Sequence, residues 1–400
     1  MSLAVTAPSG LPKAAKRRLA FVFYAAVLLE GVMLASIGPT LDALSDKSGS
    51  TTGQISILFT VNSLGYITGS LLAGRLYARL RGNAVLAVAL VWMAVLTATI
   101  PLLDSLWLMV GVFTLIGLSI GLIDVGGNTL LVWLFRKDVP PYMNALHLCF
   151  GIGAFLCPLT VDRFAVATDD ATNAFFLFAS LMIPVAIWLA RVPSPDSPAE
   201  TASPAEGSAL VRRYAFFLAL MGLLFFMHVG GELAFGGWVF SYADELDIGG
   251  STTARVLNSA FWGGLVVGRL IAIPLSRRMS PRTMLQLDLV SAIGFIAVIG
   301  FLPDWPPALW IGTIGFGLAI ASVFATCINY AQQRIPLPSQ VMAVFMVGGS
   351  LGSMTLPWLA GQLFDRQGPE TLIWLVGGAI VAALALFAWV NAHATRMARS

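Results

Sequence analysis

The sequence predicts an all-α membrane protein with twelve transmembrane helices in two six-helix pseudo-repeats, and three observations lead to this fold class. The 400 residues are 58% hydrophobic and only 11% charged, with a mean hydropathy of +0.84. Twelve apolar segments are long enough to cross a bilayer, and the first six align with the last six at a constant offset. Such a composition is typical of polytopic membrane proteins and excludes a soluble enzyme.

Each segment is recognised as an apolar window of about 19 residues with few charges. A stretch rich in Pro, Ser, Ala and acidic residues separates the two sets of six, and it predicts a disordered linker because it cannot bury enough apolar surface to order the chain. The sequence therefore predicts an N-terminal bundle at 1–192, a cytoplasmic linker at 193–210 and a C-terminal bundle at 211–400. The predicted segments are 19–41, 53–76, 83–103, 105–135, 142–164, 171–191, 212–243, 253–275, 283–302, 307–331, 338–363 and 371–391.

The two halves match when the first is shifted by one constant offset along the sequence. The matched positions come from several different segments, so similarity within a single helix does not explain them. Repeats of this kind predict two bundles with a central cavity that opens alternately to each side of the membrane. The matched pairs include Gly31 with Gly230, Arg79 with Arg278, Met143 with Met342, Gly153 with Gly352, and Pro158 with Pro357.

The basic residues predict the orientation of the chain. With the N-terminus placed inside, 19 of the 23 Lys and Arg residues fall in inside loops and tails, and 4 fall outside. Both termini and the linker are therefore predicted to be cytoplasmic, and no nucleic acid is needed to explain the basic charge. The excess of arginine over lysine and the lack of an Asn-x-Ser/Thr sequence favour a bacterial inner membrane. Cys149, Cys157 and Cys327 lie in apolar segments and show no disulfide or metal-site spacing, so neither metal nor cofactor is predicted.

The fourth segment carries an ionisable carboxylate, Asp124, inside an apolar run. A charged side chain near the middle of a spanning helix costs about 3 kcal/mol, so such residues usually face a protein-lined pathway for ions or substrate. Gly117, Gly121, Asp124 and Asn128 share one helical face, which predicts a groove of small residues ending in a carboxylate and an amide. The alternative is a polar contact between two packed helices.

Other polar residues within the segments add candidates for a substrate or ion site. Glu30 lies near the centre of the first segment, where it either joins Asp124 in function or serves as a structural hydrogen-bond partner. His228 and Glu232 in the seventh segment are spaced i and i+4, close enough to share a proton. Asn258 and Trp262 in the eighth segment have the same spacing and offer the amide and ring that commonly hold sugars, although packing explains them as well.

Five short stretches carry a family resemblance. They are Gly-Pro-Thr-Leu at 38–41, Asp-Val-Gly-Gly-Asn at 124–128, Gly-Gly-Glu-Leu-Ala-Phe-Gly-Gly-Trp at 230–238, Phe-Trp-Gly-Gly at 261–264, and Gly-Arg-Leu-Ile-Ala-Ile-Pro-Leu-Ser at 268–276. With them the chain resembles the major facilitator superfamily and, within it, the branch of fucose permease and the sodium-dependent glucose transporters. The resemblance implies that Asp124 occupies the place of a helix-4 acid used for sugar and proton handling. The helix-1 acid of that permease falls near Ala35, so Glu30 does not match it.

The resemblance also implies a cytoplasmic gate. The superfamily's signature after the second helix has an Asp just before an Arg, whereas Ala78 precedes Arg79 here, which implies a weakened latch. Arg278 matches Arg79 in the repeat, and Arg269 in the inner third of the eighth segment is predicted to lie near the same gate. For Arg79 and its neighbours, simple positive-inside charge is the alternative interpretation.

The candidates predict a monomeric secondary transporter in the lipid bilayer that moves a small neutral polar solute, best matched by a sugar, with H⁺ or Na⁺ by alternating access. Because the candidate site residues are acids, anionic substrates are disfavoured. A proton-coupled efflux antiporter for lipophilic or cationic compounds is one alternative, and a membrane sensor without transport is another. No catalytic nucleophile, metal cluster or phosphate-binding loop is present in the sequence, so an enzyme is not predicted.

Overall fold

A computed structural model describes residues 13–195, 210–303, 305–337 and 339–397. These residues form helices joined by short turns, with no strand among them, which confirms the predicted all-α class. Twelve of the described helices are long and apolar enough to cross a membrane, so the chain is an integral membrane protein. Numbered α1 to α12, they are Lys16–Ala35, Thr52–Arg79, Gly82–Leu102, Leu106–Phe135, Pro140–Thr168, Ala171–Arg191, Ala215–Glu245, Gly250–Ser276, Pro281–Phe301, Pro306–Gln332, Gln340–Gln367 and Thr371–Ala394.

The described residues form two compact units. The first unit contains residues 13–51 and 61–195, and the second contains residues 52–60 together with the described residues from 210 onward. In the first unit α1 packs along α5, and α3 packs against α4 and α6. In the second unit α7 packs along α11 and α12, and α10 packs against α8 and α9. Each unit therefore builds its own apolar core, in which polar side chains are held by specific partners.

Matched glycines of the predicted repeat occupy the same kind of contact in both units. A Cβ on Gly153 of α5 would lie 3.1 Å from the backbone nitrogen of Val32 in α1 and still closer to the carbonyl of Leu28. A Cβ on Gly230 of α7 would lie 2.8 Å from the carbonyl oxygen of Gly352 in α11. Only glycine allows backbones to approach so closely in a membrane protein, where small residues take the place of a hydrophobic driving force. The repeat seen in the sequence thus has a physical basis in helix packing.

Three predicted helices are interrupted in the structure, and one is the second segment, where Ser56 separates Thr52–Ile55 from Ile57–Arg79. The first segment, predicted at 19–41, breaks at Ser36 and continues as a second helix over Ile37–Ser48. The Ser36 hydroxyl donates to the carbonyl of Met33 at 2.7 Å, a local bond that competes with the helical ladder. The tenth segment, predicted at 307–331, breaks at Ala321 and Ser322, where the Ser322 hydroxyl donates to the carboxylate of Asp288 in α9. Hydrophobic windows do not register such breaks because the residues on both sides are apolar.

The first turns of α2 belong to the second unit, a grouping that the sequence did not predict. The Gln362 amide donates to the carbonyl oxygen of Gly53 at 2.6 Å, and the Thr60 hydroxyl donates to that of Met354 at 2.9 Å. The ring of Phe59 lies 5.9 Å from that of Trp238, centroid to centroid. Residues 52–60 are therefore held by α7 and α11, although the rest of α2 belongs to the first unit.

The predicted linker at 193–210 lies almost entirely outside the described residues, so its disorder stays a prediction. Its first residues are fixed, because the side-chain amide of Asn83 donates to the carbonyl oxygen of Pro193 at 3.1 Å. The backbone N–H of Asn83 also donates to the Ser194 hydroxyl at 3.2 Å. Ser194 is buried, so the start of the predicted linker is packed on the first unit.

An ion pair between Lys47 and Asp170 links three parts of the first unit: the helix after α1, the end of α3 and the turn between α5 and α6. The Lys47 ammonium lies 2.9 Å from the Asp170 carboxylate and donates to the carbonyl of Pro101 at 2.8 Å. Asp170 also accepts hydrogen bonds from the backbone N–H and hydroxyl of Thr172. Partial burial acts to raise the pKa of Asp170, but the hydrogen bonds from Thr172 and Lys47 outweigh it and hold the pKa below its ordinary value.

Replacing this carboxylate tests the ion pair. Because the pKa of Asp170 is lowered by folding, its contribution is complete above the unfolded value near 3.9 and is lost as the pH falls through the folded value. We expect Asp170→Asn to lower the free energy of unfolding at pH 7 by less than about 1 kcal/mol, and the difference from the parent to shrink as the pH falls from about 4 through the folded pKa. Thermal unfolding of the purified protein at both pH values measures this. Asp169→Asn is the matched control, and an equal loss in it would contradict the assignment.

Candidate functional site

Four polar side chains meet inside the first unit, and we call Glu30, Tyr66, Asp124 and Asn128 the first-unit cluster. The Tyr66 hydroxyl donates to Oδ2 of Asp124 at 2.6 Å. The side-chain amide of Asn128 donates to Oδ1 of Asp124 at 2.8 Å and to the backbone carbonyl of Asp124 at 2.8 Å. Both carboxylate oxygens of Asp124 therefore accept a hydrogen bond from a neutral donor.

Close packing of α2 against α4 positions these donors. A Cβ on Gly121 would lie 2.8 Å from the backbone nitrogen of Ser70 and closer still to the carbonyl of Tyr66. A Cβ on Gly117 would meet the backbone of Asn62 in the same way. The face predicted to be an open groove of small residues is thus filled by α2. This contact brings Tyr66 onto the carboxylate at the end of that face.

Glu30 reaches the same cluster from α1, six positions before the break at Ser36. Its side chain is 3% exposed, and its Oε2 forms no hydrogen bond within the described residues. Glu30 and Asp124 lie close enough for their charges to interact. Two acids within one apolar core repel each other when both are ionised, and such a pair in a membrane segment marks an ion or proton pathway by default.

Five polar side chains gather along α7 and α8, and we call His228, Glu232, Asn258, Trp262 and Arg269 the second-unit cluster. His228 Nε2 lies 3.6 Å from Glu232 Oε2, and the two side chains are 1% and 15% exposed. Arg269 of α8 is half-buried, and its guanidinium acts electrostatically on both His228 and Glu232. The pairing of His228 with Glu232 is the one their spacing predicts. Arg269 was predicted near the gate, and its interaction with this pair is new.

Asn258 and Trp262 surround Gly236, one turn beyond Glu232 on α7. The Asn258 amide donates to the carbonyl oxygen of Gly236 at 2.6 Å, and a Cβ on Gly236 would lie 2.9 Å from the Trp262 ring. Asn258 is 0% and Trp262 4% exposed. Asn258 Oδ1 and Trp262 Nε1 are buried and form no hydrogen bond within the described residues. A buried acceptor and a buried indole donor, four residues apart on one helix, thus have no hydrogen-bond partner among the described residues, and a polar ligand would supply one.

The other predicted residues have simpler surroundings. Arg79 and Arg278 are exposed at the ends of α2 and α8, so their gating role stays a prediction. Trp238 is fully buried and its indole N–H donates to the carbonyl oxygen of Pro357 at 2.8 Å, which makes it structural. Among the described residues, no group of three or more His, Cys, Asp or Glu side chains is arranged to hold a metal ion.

Two residues of interest were missed from the sequence. Tyr66 lies 58 positions from Asp124, and its only signal is a phenol placed between Gly65 and Gly69 in an apolar segment. Asp288 in α9 is 8% exposed and accepts from Ser322 at the break of α10. A carboxylate in the ninth segment is visible in the sequence, but its partner lies on another helix and helical spacing does not reveal it.

Comparison with known proteins identifies relatives over nearly the whole chain. The sodium-dependent glucose transporter 1A of Mus musculus is 27% identical over 397 residues, covering 90% of this chain and 93% of the relative. Sodium-dependent glucose transporter 1 of Homo sapiens is 27% identical, covering 88% of this chain and 75% of the relative. Major facilitator superfamily domain-containing protein 4A of Homo sapiens is 26% identical, covering 89% and 87%. These relatives confirm the resemblance to the sodium-dependent glucose transporters. They are all mammalian, so the bacterial membrane stays a prediction.

Solved structures share the fold at low sequence identity. The nucleoside transporter NupG superposes with a TM-score of 0.75 at 14% identity, covering 94% of this chain and 98% of that one. A D-xylose-proton symporter superposes with a TM-score of 0.76 at 14% identity, covering 92% and 96%. The family model of the Major Facilitator Superfamily matches residues 23–357. The chain therefore belongs to the Major Facilitator Superfamily, a family of membrane transporters rather than enzymes.

Proposed function

We propose that this transporter moves a small neutral polar solute, best matched by a sugar, together with one coupling cation, H⁺ or Na⁺. The observation that carries the proposal is the pair of acids in the first unit, in which Asp124 accepts two neutral donors while Glu30 lies buried within range of its charge. Glu30 is buried and Asp124 partly buried, and among the described residues no ion pair joins either acid to a positive side chain. Such a pair of acids is a place where a cation can bind. The cation removes the repulsion and lowers the cost of keeping the acids away from water.

The coupling step follows from the two forms of this cluster. Without a cation, a conformational change that shields Asp124 and Glu30 from water leaves negative charge desolvated. This desolvation costs free energy. With a proton or Na⁺ in place, the cluster is closer to neutral and closure costs less. A cation that binds one conformation more tightly shifts the population toward it, and this difference drives alternating access. Tyr66 and Asn128 would hold Asp124 in one orientation throughout the cycle.

The second-unit cluster supplies the contacts that a sugar uses. Asn258 Oδ1 can accept from a hydroxyl, the Trp262 indole N–H can donate to one, and the Trp262 ring offers an apolar face to C–H groups. The Arg269 guanidinium acts electrostatically on Glu232, so the acid of this cluster has a positive group nearby, unlike the acids of the first-unit cluster. The names of the mouse and human relatives, sodium-dependent glucose transporters, support a sugar and leave Na⁺ as one of the two coupling ions.

Neutralising Asp124 tests whether this carboxylate couples solute transport to the cation gradient or is needed for solute exchange itself. Asp124→Asn keeps nearly the same volume and imitates the cation-bound state. We expect this variant to exchange labelled solute across proteoliposomes at a rate near that of the parent, and to accumulate none against a gradient, so that the ratio of inside to outside solute falls to about 1. Asp46→Asn, which makes the same chemical change in an exposed residue outside the spans, should accumulate solute like the parent. Normal accumulation by Asp124→Asn would refute the role of this carboxylate.

Truncating Asn258 tests where the solute binds. Asn258→Ala removes the unpaired acceptor, and losing one hydrogen bond to a buried group should raise KM for the solute about tenfold. The dependence on the ion gradient should stay as in the parent, because the first-unit cluster is intact. Asn62→Ala is the matched control, since the Asn62 amide also donates to a carbonyl of a neighbouring helix, that of Phe113 at 3.3 Å. Equal changes of KM in the two variants would mean that Asn258 acts through packing.

A further inference from the structure

A cavity of about 500 Å³ lies at the arginine-rich end of the second unit, and none of its lining residues belongs to the second-unit cluster. It is formed where α8 ends, α9 begins and α10 ends. Hydroxyls and amides line it, from Ser276, Ser280, Asn329, Gln332 and Gln333. Every one of these groups can form hydrogen bonds with a polar ligand, and none of them carries a charge.

Arg282 and Arg334 directly follow two residues that line the cavity, Pro281 and Gln333, and both act on one tyrosine. The Arg334 guanidinium lies 3.5 Å from the centroid of the Tyr330 ring and donates to the Tyr330 carbonyl oxygen at 2.8 Å. Arg282 lies close enough to act electrostatically on the same Tyr330 phenol. The Tyr330 hydroxyl in turn donates to Oδ1 of Asn391 in α12 at 3.1 Å. Stacking and hydrogen bonding therefore fix the Arg334 guanidinium on Tyr330, one residue beyond Gln333 of the cavity lining.

These positive charges have no acidic counterpart in the neighbouring sequence. Residues 276–287 and 323–337 contain Arg277, Arg278, Arg282 and Arg334 and no Asp or Glu. The nearest acid along the chain, Asp288, accepts a hydrogen bond from Ser322. Positive-inside topology explains the sign of these residues but not the polar cavity between them or the fixed position of Arg334. An anion with several acceptor oxygens would account for both the polar cavity and the fixed arginine, because guanidinium groups match phosphate oxygens in geometry and charge.

The position of the cavity favours a lipid as the source of the anion. This end of the helices is the predicted cytoplasmic side, where membranes carry anionic lipids. Ile273 of α8 and Leu287 of α9, one to two turns from the cavity, are 40% and 47% exposed and offer apolar surface to acyl chains. We propose that the cavity between the α8–α9 turn and the end of α10 binds the phosphate group of an anionic phospholipid, held by Arg282 and Arg334.

Native mass spectrometry of the full chain in detergent tests this site. The probes are phosphatidylglycerol, phosphatidylcholine with the same acyl chains, and inorganic phosphate as a competitor. Arg282→Gln combined with Arg334→Gln should weaken phosphatidylglycerol binding about tenfold. Arg17→Gln combined with Arg18→Gln removes the same charge from exposed positions of the first unit and should leave binding unchanged. Because Arg334 also caps the end of α10, Asn329→Leu provides a second test that narrows the cavity and keeps every charge.

The outcomes separate the possibilities. Preferential binding of phosphatidylglycerol, lost in the double arginine variant and in Asn329→Leu, supports the proposal. Displacement of that lipid by inorganic phosphate, with the same loss in both variants, supports the anion site and assigns it to a soluble phosphate. Equal binding of phosphatidylglycerol and phosphatidylcholine, or equal phosphatidylglycerol binding by all variants at matched thermal stability, would overturn the proposal.

Discussion

Asp124 keeps both carboxylate oxygens hydrogen-bonded inside a helix that is otherwise apolar, and the packing of the first unit follows from this requirement. The donors come from Tyr66 on α2 and from Asn128 one turn further on α4. Tyr66 reaches the carboxylate because Gly121 lets the backbone of α2 approach α4. An ionised group in a membrane segment is tolerated only with such partners. The small residues around Asp124 therefore allow its carboxylate to be hydrogen-bonded, in addition to allowing the two helices to pack closely.

The two units use one packing scheme for different chemistry. Matched glycines bring α1 to α5 and α7 to α11, so the same backbone framework recurs. On that framework the first unit carries two acids, whereas the second carries an acid, a histidine, an arginine, an amide and an indole. The first set suits a cation, and the second suits a neutral polar solute. This difference favours a division of labour in which one unit holds the coupling ion and the other holds the solute.

Helical spacing predicted the contacts that lie within one helix. The hydrophobic windows located all twelve spans, and steps of four residues paired Asp124 with Asn128 and His228 with Glu232. Contacts between different helices were not predicted, because the spacing of residues along one helix does not show which helices are neighbours. Tyr66 on Asp124 and Ser322 on Asp288 are of this kind. The attachment of residues 52–60 to α11 spans about 300 positions and had no local signal.

In the proposed mechanism, transport of a neutral solute depends on one cation. Uptake of a panel of labelled neutral sugars into proteoliposomes, with Na⁺ and pH gradients imposed separately, measures this most directly. We expect at least one sugar to accumulate above its outside concentration under one of the two gradients and only to equilibrate when that gradient is removed. Accumulation that is indifferent to both gradients, or transport confined to charged or lipophilic compounds, would contradict it.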